Sequence, residues 1–498
     1  MKPCVGKGHG SFGRFWVAEA RVLPVRNPRT GLPDTEITVA DRAAVAAKAA
    51  KLRAGQRKWA AMPVQARVGV MARWAQLVGG KYRQAIIDAD SHDTGYCEIS
   101  RIAPDMMLGI IGGLCASAPA QLQGALREGV SRANPEVRFT SLLKPYGLVG
   151  VISPWNAPTM LSMLHAIPPL FAGCAVLLKP SEVTPRFCGP LFDSVREVPE
   201  LAEVFDCVMG DGETGQALIE EADYISFTGS VPNGRKVAEA CGRRMIPYDV
   251  ELGGKDPLIV MQGADLDKAV SATIRGAISA TGQVCFSIER IYVDAAVHDE
   301  FVSKLVDRAR KIELNHPDPM GGHIGPFTGP HQAGLVKTHL EDALAKGATI
   351  IEGGVPFQIE GGDYMRPTVI TGVTHDMKIM REETFGPCMP VMAFHDIEEA
   401  IRLANDTDFG LSAAVIGPDE ESAIAVGERI NAGKVSIQDT FLTFFGSEAK
   451  NDSFGFSGLP GLRGDLTRYV RKQALLINSG DPVCLTREAV SAVDQAVG

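Results

Sequence analysis

The sequence predicts an α/β protein made of two open α/β domains and a small hairpin. Three observations carry that expectation. From residue 147 onward, short apolar runs at 148–152, 175–178, 205–209, 224–227 and 258–261 alternate with helical stretches, the layout of a parallel sheet with crossover helices. Each run ends in a turn or a glycine, which puts loops at the carboxyl ends of strands, where open sheets bind ligands. The alternation continues beyond residue 264 and is long enough for a second sheet.

Taken in order, the first two dozen residues read as a lead-in, rich in glycine and without periodicity, and 27–31 (Asn-Pro-Arg-Thr-Gly) is a turn. Thr38 is placed to cap a helix. Apolar residues then recur at Val39, Ala43, Val45 and Ala46, and again at Met71, Trp74, Ala75 and Val78, the spacing of amphipathic helices separated at Pro63. Trp59 and Trp74 are expected to anchor the core. Between 124 and 146 the period changes to two, with Val137, Phe139 and Leu143 on one face, and a hairpin is expected there. In the second half a helix over 264–280 leads into Cys285, a strand covers 290–293 and a helix 300–312. Further units follow at 332–347, 369–373, 391–393, 398–404 and 420–430. No solenoid-type repeat is present. A short helical candidate after Thr486 carries no functional reading.

A chain of 498 residues corresponds to two or three domain-sized units, and 45% hydrophobic with 22% charged residues is ordinary for a soluble globular protein. The net charge of −9 and the dispersed basic residues argue against nucleic acid or an anionic membrane as the main partner. Ten cysteines without paired spacing give neither a metal-ligand pattern nor a disulfide framework, so reduced thiols in a cytoplasmic chain are expected. Residues 1–16 lack the apolar centre of a secretory signal, and the longest apolar region, 106–118, is short and glycine-rich for a membrane span.

The chemistry centres on residues 251–285. This stretch opens with Glu251-Leu252-Gly253-Gly254-Lys255 and ends with Gly282-Gln283-Val284-Cys285. A thiol attacks as its thiolate, and a covalent intermediate made by a thiol needs a group that activates the water which later releases it. Cys285 and Glu251 are suited to those two roles. A cysteine and a glutamate taken alone would more readily be a buried small side chain and a solvated charge. The neighbouring motifs reverse that: Pro154-Trp155-Asn156-Ala157-Pro158, Lys179-Pro180-Ser181-Glu182, Phe227-Thr228-Gly229-Ser230 and Glu382-Glu383-Thr384-Phe385-Gly386-Pro387 flank the pair in this order. With them the chain resembles the aldehyde dehydrogenase superfamily from about residue 26 to about residue 478.

The resemblance implies a Rossmann-like cofactor domain over 1–123 and 147–255, a catalytic domain over 256–440, and an oligomerisation unit from 124–146 with 441–498. The 124–146 hairpin would pair with a neighbouring subunit in a homodimer or homotetramer. It also implies that Cys285 adds to an aldehyde, hydride passes to a nicotinamide, and Glu251 activates water to hydrolyse the thioester. Relatives that pass the acyl group to coenzyme A typically lack this glutamate, so hydrolysis is expected. Asn156 and the Cys285 amide would hold the developing oxyanion, where a fixed donor is worth about 3 kcal/mol. A catalytically silent homologue has no chemical need for all three residues.

Cofactor positions carried over are Ile152, Ser153, Pro154, Trp155, Lys179, Glu182, Gly212, Gly229, Ser230, Leu252, Gly253, Glu383 and Phe385. Gly229, Ser230 and a helix beginning after Pro232 form the better phosphate site, because helix-end amides favour an anion. The Gly210-Asp211-Gly212-Glu213-Thr214-Gly215 fingerprint carries two carboxylates that repel one. A carboxylate at Glu182 beside Lys179 accepts ribose hydroxyls and disfavours a 2′-phosphate, which points to NAD over NADP. Glu382 is assigned to the scaffold.

Ala157, Met160, Leu161, Leu164, Phe286, Phe441 and Phe444 are expected to line an apolar aldehyde tunnel. No arginine stands among them to pair with a substrate carboxylate, so an aromatic or medium-length apolar aldehyde is expected, with a carboxylated semialdehyde as the alternative. Where many family members have lysine nine residues after the motif asparagine, this chain has His165. It is read as a locally hydrogen-bonded helix residue, with a proton relay as the alternative. The family's second acidic residue has no clear counterpart in 454–461.

Overall fold

The computed structural model describes residues 21–480, apart from 97, 446–448, 450 and 460–464. The expected helix after Thr486 lies outside that range. Two sheets dominate. The first has six strands in the spatial order Gly458–Leu459, Tyr248–Glu251, Tyr224–Thr228, Leu148–Ile152, Ala175–Lys179 and Phe205–Cys207. All run parallel except Gly458–Leu459, which pairs antiparallel at the edge beside Tyr248–Glu251. From Leu148–Ile152 the chain steps first to one side of the sheet and later to the other. That reversal opens a crevice at the carboxyl ends of Leu148–Ile152 and Tyr224–Thr228. Both strands, and Ala175–Lys179 beside them, are buried along their whole length, as continuous apolar runs covered on both faces should be.

The second sheet has seven strands, ordered Thr349–Glu352, Thr368–Thr371, Cys388–Phe394, Ile288–Asp294, Asp256–Val260, Ser412–Ile416 and Lys434–Ile437. Only the first pair is antiparallel. Along Asp256–Val260 the side chains alternate between the two faces, so Leu258 and Val260 join one buried cluster and Ile259 the other. A third, smaller sheet pairs Glu128–Val130 with Val137–Pro145, the expected hairpin, and Val470–Asn478 returns to pair with Val137–Pro145 along its full length.

Several local expectations are corrected. Thr38 does not cap a helix; it ends the strand Pro33–Thr38, paired with Val22–Arg26 in a hairpin that the lead-in reading had missed. The cap of helix Arg42–Ala61 is Asp41, whose carboxylate accepts the Ala44 N–H at 2.8 Å. The helix after Ser230 begins at Val231, with Pro232 inside its first turn, where proline is tolerated because no intrahelical N–H is lost. Residues 106–118 belong to a 27-residue helix, Glu98–Gly124, long and apolar enough to cross a membrane by length and composition. Here its Ile99, Ala103, Met107, Ile111, Leu114 and Ala118 face is buried, and the helix packs on Val64–Gly79 and Pro158–Ala172.

Candidate active site

The loop that presents Cys285 is strained and tied down. After helix Leu266–Ile278 the chain passes through three consecutive left-handed residues, Ala280 (φ 49°), Thr281 (φ 60°) and Gly282 (φ 72°). For alanine and a β-branched threonine this costs about 1–3 kcal/mol each. Hydrogen bonds offset it: the Thr281 hydroxyl donates to the Gly325 carbonyl (3.0 Å) and accepts the Gly325 N–H (3.1 Å), and Gln283 Oε1 accepts the Thr328 N–H (3.1 Å). Two glycines permit close backbone approach. A Cβ on Gly282 would stand 2.3 Å from the Gly386 carbonyl oxygen, and one on Gly254 would stand 2.3 Å from that of Cys285. The glutamate and cysteine stretches therefore meet backbone to backbone.

Asn156 follows the strand Leu148–Ile152 and is buried. Its main-chain carbonyl accepts the Tyr96 hydroxyl at 2.9 Å, and its Nδ2 donates to the Gln283 carbonyl at 2.9 Å. One amide hydrogen thus fixes the side chain against the cysteine loop. The second is the one that a nearby oxyanion would use. Glu251 ends its strand, and Cys285 and Glu251 line one pocket.

The pocket wall around them is apolar: Met106, Ile110, Met160, Leu161, Leu164, Phe286 and Leu411. Of the expected tunnel residues, Met160, Leu161, Leu164 and Phe286 are on this wall. Ala157 and Phe441 belong to the same hydrophobic cluster, with the Phe286 and Phe441 rings 4.9 Å apart. The side chain of Phe444 lies outside the described residues. Met106 and Ile110 were missed, although they stand four apart on one helix face, because the segment was weighed only as a membrane span. A polar rim of Lys434, Thr443, Asn451 and Ser453 was also missed. It comes from late segments that carry no motif. Lys434 Nζ donates to the Thr443 carbonyl at 3.3 Å. His165 is buried, and two groups of the first sheet stand beside it: Nε2 is 2.9 Å from Thr228 Oγ1, and Nδ1 is 3.5 Å from Asp249 Oδ2.

A second, larger cleft lies over the crevice of the first sheet. Nine of the expected cofactor residues line it: Ile152, Ser153, Pro154, Trp155, Lys179, Glu182, Gly212, Gly229 and Ser230. Lys179 is buried at the end of its strand and pairs with the Glu182 carboxylate at 3.0 Å. Ser230 caps helix Val231–Arg244 without a side-chain hydrogen bond to it, so the opening amides of a 14-residue helix stand at the cleft wall. Hydroxyl partners on one side and helix-end amides on the other suit a dinucleotide. Asp211 is used locally, as the cap of helix Gly212–Glu221 and the ion-pair partner of Arg21 at 2.8 Å. Lys236 and Arg243 on the same wall were not foreseen.

The remaining four expected positions sit outside this lining. Leu252 is buried, where it would abut a Cβ on Gly234, and a Cβ on Gly253 would meet the Glu383 carboxylate at 2.6 Å. The Phe385 ring meets Trp155 edge to face at 5.6 Å. Glu383 Oε1 accepts the Gly254 N–H at 2.9 Å. Burial, reinforced by the Glu289 charge, pushes the Glu383 carboxyl up to about 8. Behind this loop is an anchor that sequence reading missed. Glu289 accepts the N–H groups of Thr384 (2.7 Å) and Phe385 (2.8 Å), and its charge is met by buried Lys255 at 2.5 Å. Lys255 Nζ also donates to the Thr384 hydroxyl at 3.0 Å. Neither residue lies at a motif position that signals such a pair, since they become neighbours only through the pairing of Asp256–Val260 with Ile288–Asp294. Glu382, read as scaffold, stands 3.4 Å from His339 Nε2.

A model of the aldehyde dehydrogenase family matches residues 16–456. The chain is 39% identical over 433 residues, 86% of its own length and 82% of the other, to a Mycolicibacterium smegmatis protein named "Putative succinate-semialdehyde dehydrogenase (NADP+)". It is 41% identical over 322 residues to a 4,4'-diapolycopene aldehyde oxidase of a Methylomonas species, covering 64% of this chain and 57% of that one. Its fold matches the solved structure of the "Putative Aldehyde Dehydrogenase PutA" from Anabaena variabilis with a TM-score of 0.90 and 44% identity, over 93% of this chain and 99% of that one. The thiol and carboxylate in one pocket, the larger cleft beside it and these matches together place the chain in the aldehyde dehydrogenase family of NAD(P)-dependent oxidoreductases.

Proposed function

We propose that the protein oxidises an apolar aldehyde to its carboxylic acid through a covalent intermediate on Cys285. The observation that carries this reading is that Cys285 and Glu251 share one pocket whose wall includes seven apolar side chains. The Cys285 thiolate adds to the aldehyde carbon, and Asn156, fixed by Gln283, donates to the oxygen that gains charge. A bound nicotinamide cofactor supplies the hydride acceptor. Glu251 then takes a proton from water as it attacks the thioester, and Cys285 leaves as thiolate.

For the cofactor we favour NAD. Glu182 is held at the cleft wall by Lys179, where a 2′-phosphate would meet its charge. Lys236 and Arg243 in the same cleft, and the NADP+ in the name of the Mycolicibacterium relative, support a residual NADP activity. We also propose subunit association through the third sheet, whose edge strand Val470–Asn478 exposes Leu475, Leu476 and Ile477.

A second substrate reading has its own observation. Lys434 stands on the polar rim, a cation within the acyl pocket, and the Mycolicibacterium relative is named for a semialdehyde that carries a carboxylate. The test is kcat/KM across aryl, medium-length aliphatic and carboxylated aldehydes with NAD and NADP, with and without coenzyme A. Apolar aldehydes leading by ten-fold or more, with NAD and no need for coenzyme A, support the first reading. A lead for succinate semialdehyde that is lost in Lys434→Met selects the second.

A further inference from the structure

Four segments far apart in the chain meet at Asn156, and their hydrogen bonds close into a circuit. Asn156 Nδ2 donates to the Gln283 carbonyl at 2.9 Å, and Gln283 Oε1 accepts the Thr328 N–H at 3.1 Å. The Thr328 hydroxyl donates to the Thr94 carbonyl at 2.7 Å. Two residues along the chain, the Tyr96 hydroxyl donates to the Asn156 carbonyl at 2.9 Å, which closes the loop. Thr94, Tyr96, Asn156, Gln283 and Thr328 are all buried. The circuit is braced from outside. Asp90, on the helix Arg83–Thr94, accepts the Ser100 hydroxyl at 2.7 Å and the Thr159 N–H at 3.2 Å. It thereby caps helix Pro158–Ala172, whose N-cap residue Ala157 makes no side-chain cap of its own.

Tyr96 belongs to the apolar cluster of Ala157, Met160, Leu161 and Phe286, where a phenylalanine ring would fill the same space. A hydroxyl buried there is costly unless it is hydrogen-bonded, and the Asn156 carbonyl receives it. That carbonyl has no place in the helix that follows. The Ala157 carbonyl accepts the Leu161 N–H as the first rung, and Asn156 stands one residue earlier. Asn156 is therefore held twice, its main chain by Tyr96 and its side chain by Gln283. We propose that Tyr96 and Thr328 are positioning residues that aim the second amide hydrogen of Asn156 at the oxygen which gains charge when Cys285 attacks. This rests on the oxyanion role given to Asn156 above.

The two ends of the circuit can be loosened without releasing the cysteine loop. Tyr96→Phe frees the Asn156 main chain. It leaves the Thr281 hydroxyl on Gly325 and the Gln283 side chain on Thr328, the bonds that tie down the residues before Cys285. Thr328→Val keeps the Thr328 N–H on Gln283 and loses the tie to the Thr94 carbonyl. In both variants the donor is misplaced while the thiol stays. Reactions of Cys285 that build charge on an oxygen should slow, and reactions that build none should not.

The test compares two reactions of the same thiol without cofactor. With p-nitrophenyl acetate the thiolate adds to the carbonyl carbon, the carbonyl oxygen takes the charge, and nitrophenolate then leaves with its electron pair, giving a burst. With iodoacetamide the sulfur displaces iodide at carbon and no oxyanion forms. Tyr96→Phe and Thr328→Val are each expected to slow the burst about ten-fold and to leave alkylation of Cys285, followed by peptide mass, unchanged. Thr328→Ser, which keeps the hydroxyl, should restore the burst. In an Asn156→Ala background Tyr96→Phe should add nothing, since it acts through Asn156. Unchanged bursts in both variants would overturn the proposal. Equal slowing of burst and alkylation would overturn it too, since the circuit would then hold the thiol and not the donor, and so would a full additional loss in the Asn156→Ala background. Absence of a burst in the unmodified protein, or a burst unaffected by Asn156→Ala, would instead overturn the underlying oxyanion reading.

Discussion

The side-chain amide of Asn156 donates to the main-chain carbonyl of Gln283 at 2.9 Å, joining the loop after strand Leu148–Ile152 to the backbone two residues before Cys285. That one bond sets the position of an amide donor relative to the thiol. Asn156→Ala removes both the tie and the donor, and kcat is expected to fall by about 10²–10³. Asn156→Asp, which substitutes a charge of the wrong sign, should fall at least as far. Stopped-flow measurement of the NADH burst separates this loss at the chemical step from any change in substrate binding.

The contact of Gly254 with Cys285 gives a second expectation. A Cβ at residue 254 would lie 2.3 Å from the Cys285 carbonyl oxygen, so Gly254→Ala must shift the cysteine loop. A displacement near 1 Å costs about 10²-fold in rate. Gly254→Ala is expected to keep a near-normal melting temperature and lose turnover by about that factor. Normal kcat in this variant would show that the loop adapts.

Glu383 makes a pH prediction. Burial, first, and the Glu289 charge, second, push its carboxyl up to about 8, against the N–H of Gly254. A carboxylate accepts a pair of ribose hydroxyls best when ionised. Cofactor affinity is therefore expected to rise as pH rises through about 8, because ionisation is then complete. In Glu383→Gln the titration is gone and the pH dependence should be flat. Titration calorimetry with NAD at pH 6.5, 7.5 and 9 distinguishes the two.

How much of this was legible beforehand differs by kind of residue. Strand runs such as 148–152 and 224–227 showed in sequence because parallel strands buried on both faces are continuously apolar. Their carboxyl ends located the cleft, and Lys179, Glu182, Gly229 and Ser230 all line it. The hairpin Val22–Arg26 with Pro33–Thr38 escaped because the second strand, Pro-Asp-Thr-Glu-Ile-Thr, is polar and mostly exposed. Lys434, Asn451 and Ser453 escaped for another reason. Pocket-lining polar residues far along the chain have no local period, and only tertiary pairing brings them to Cys285. Asp249 was two residues from Glu251 in plain view, yet nothing in the sequence tied it to His165, 84 residues (249 − 165) away.

The pair Lys255 and Glu289 also came from pairing between strands, and it predicts stability. Both groups are buried, and Glu289 carries the Thr384 and Phe385 amides. Lys255→Met strands a buried carboxylate and is expected to cost about 3–5 kcal/mol. Urea unfolding should show a lower midpoint with an unchanged slope. A change below 1 kcal/mol would mean that the two backbone amides alone satisfy Glu289.

The central claim, a covalent acyl intermediate on Cys285 released by Glu251, is tested most directly by intact-mass analysis of Glu251→Gln mixed with an apolar aldehyde and NAD. The account predicts one acyl adduct per subunit, about one equivalent of NADH, and neither product in Glu251→Gln combined with Cys285→Ala. Rapid multiple turnovers without any adduct, or no adduct and no NADH with every aldehyde tried, would contradict it.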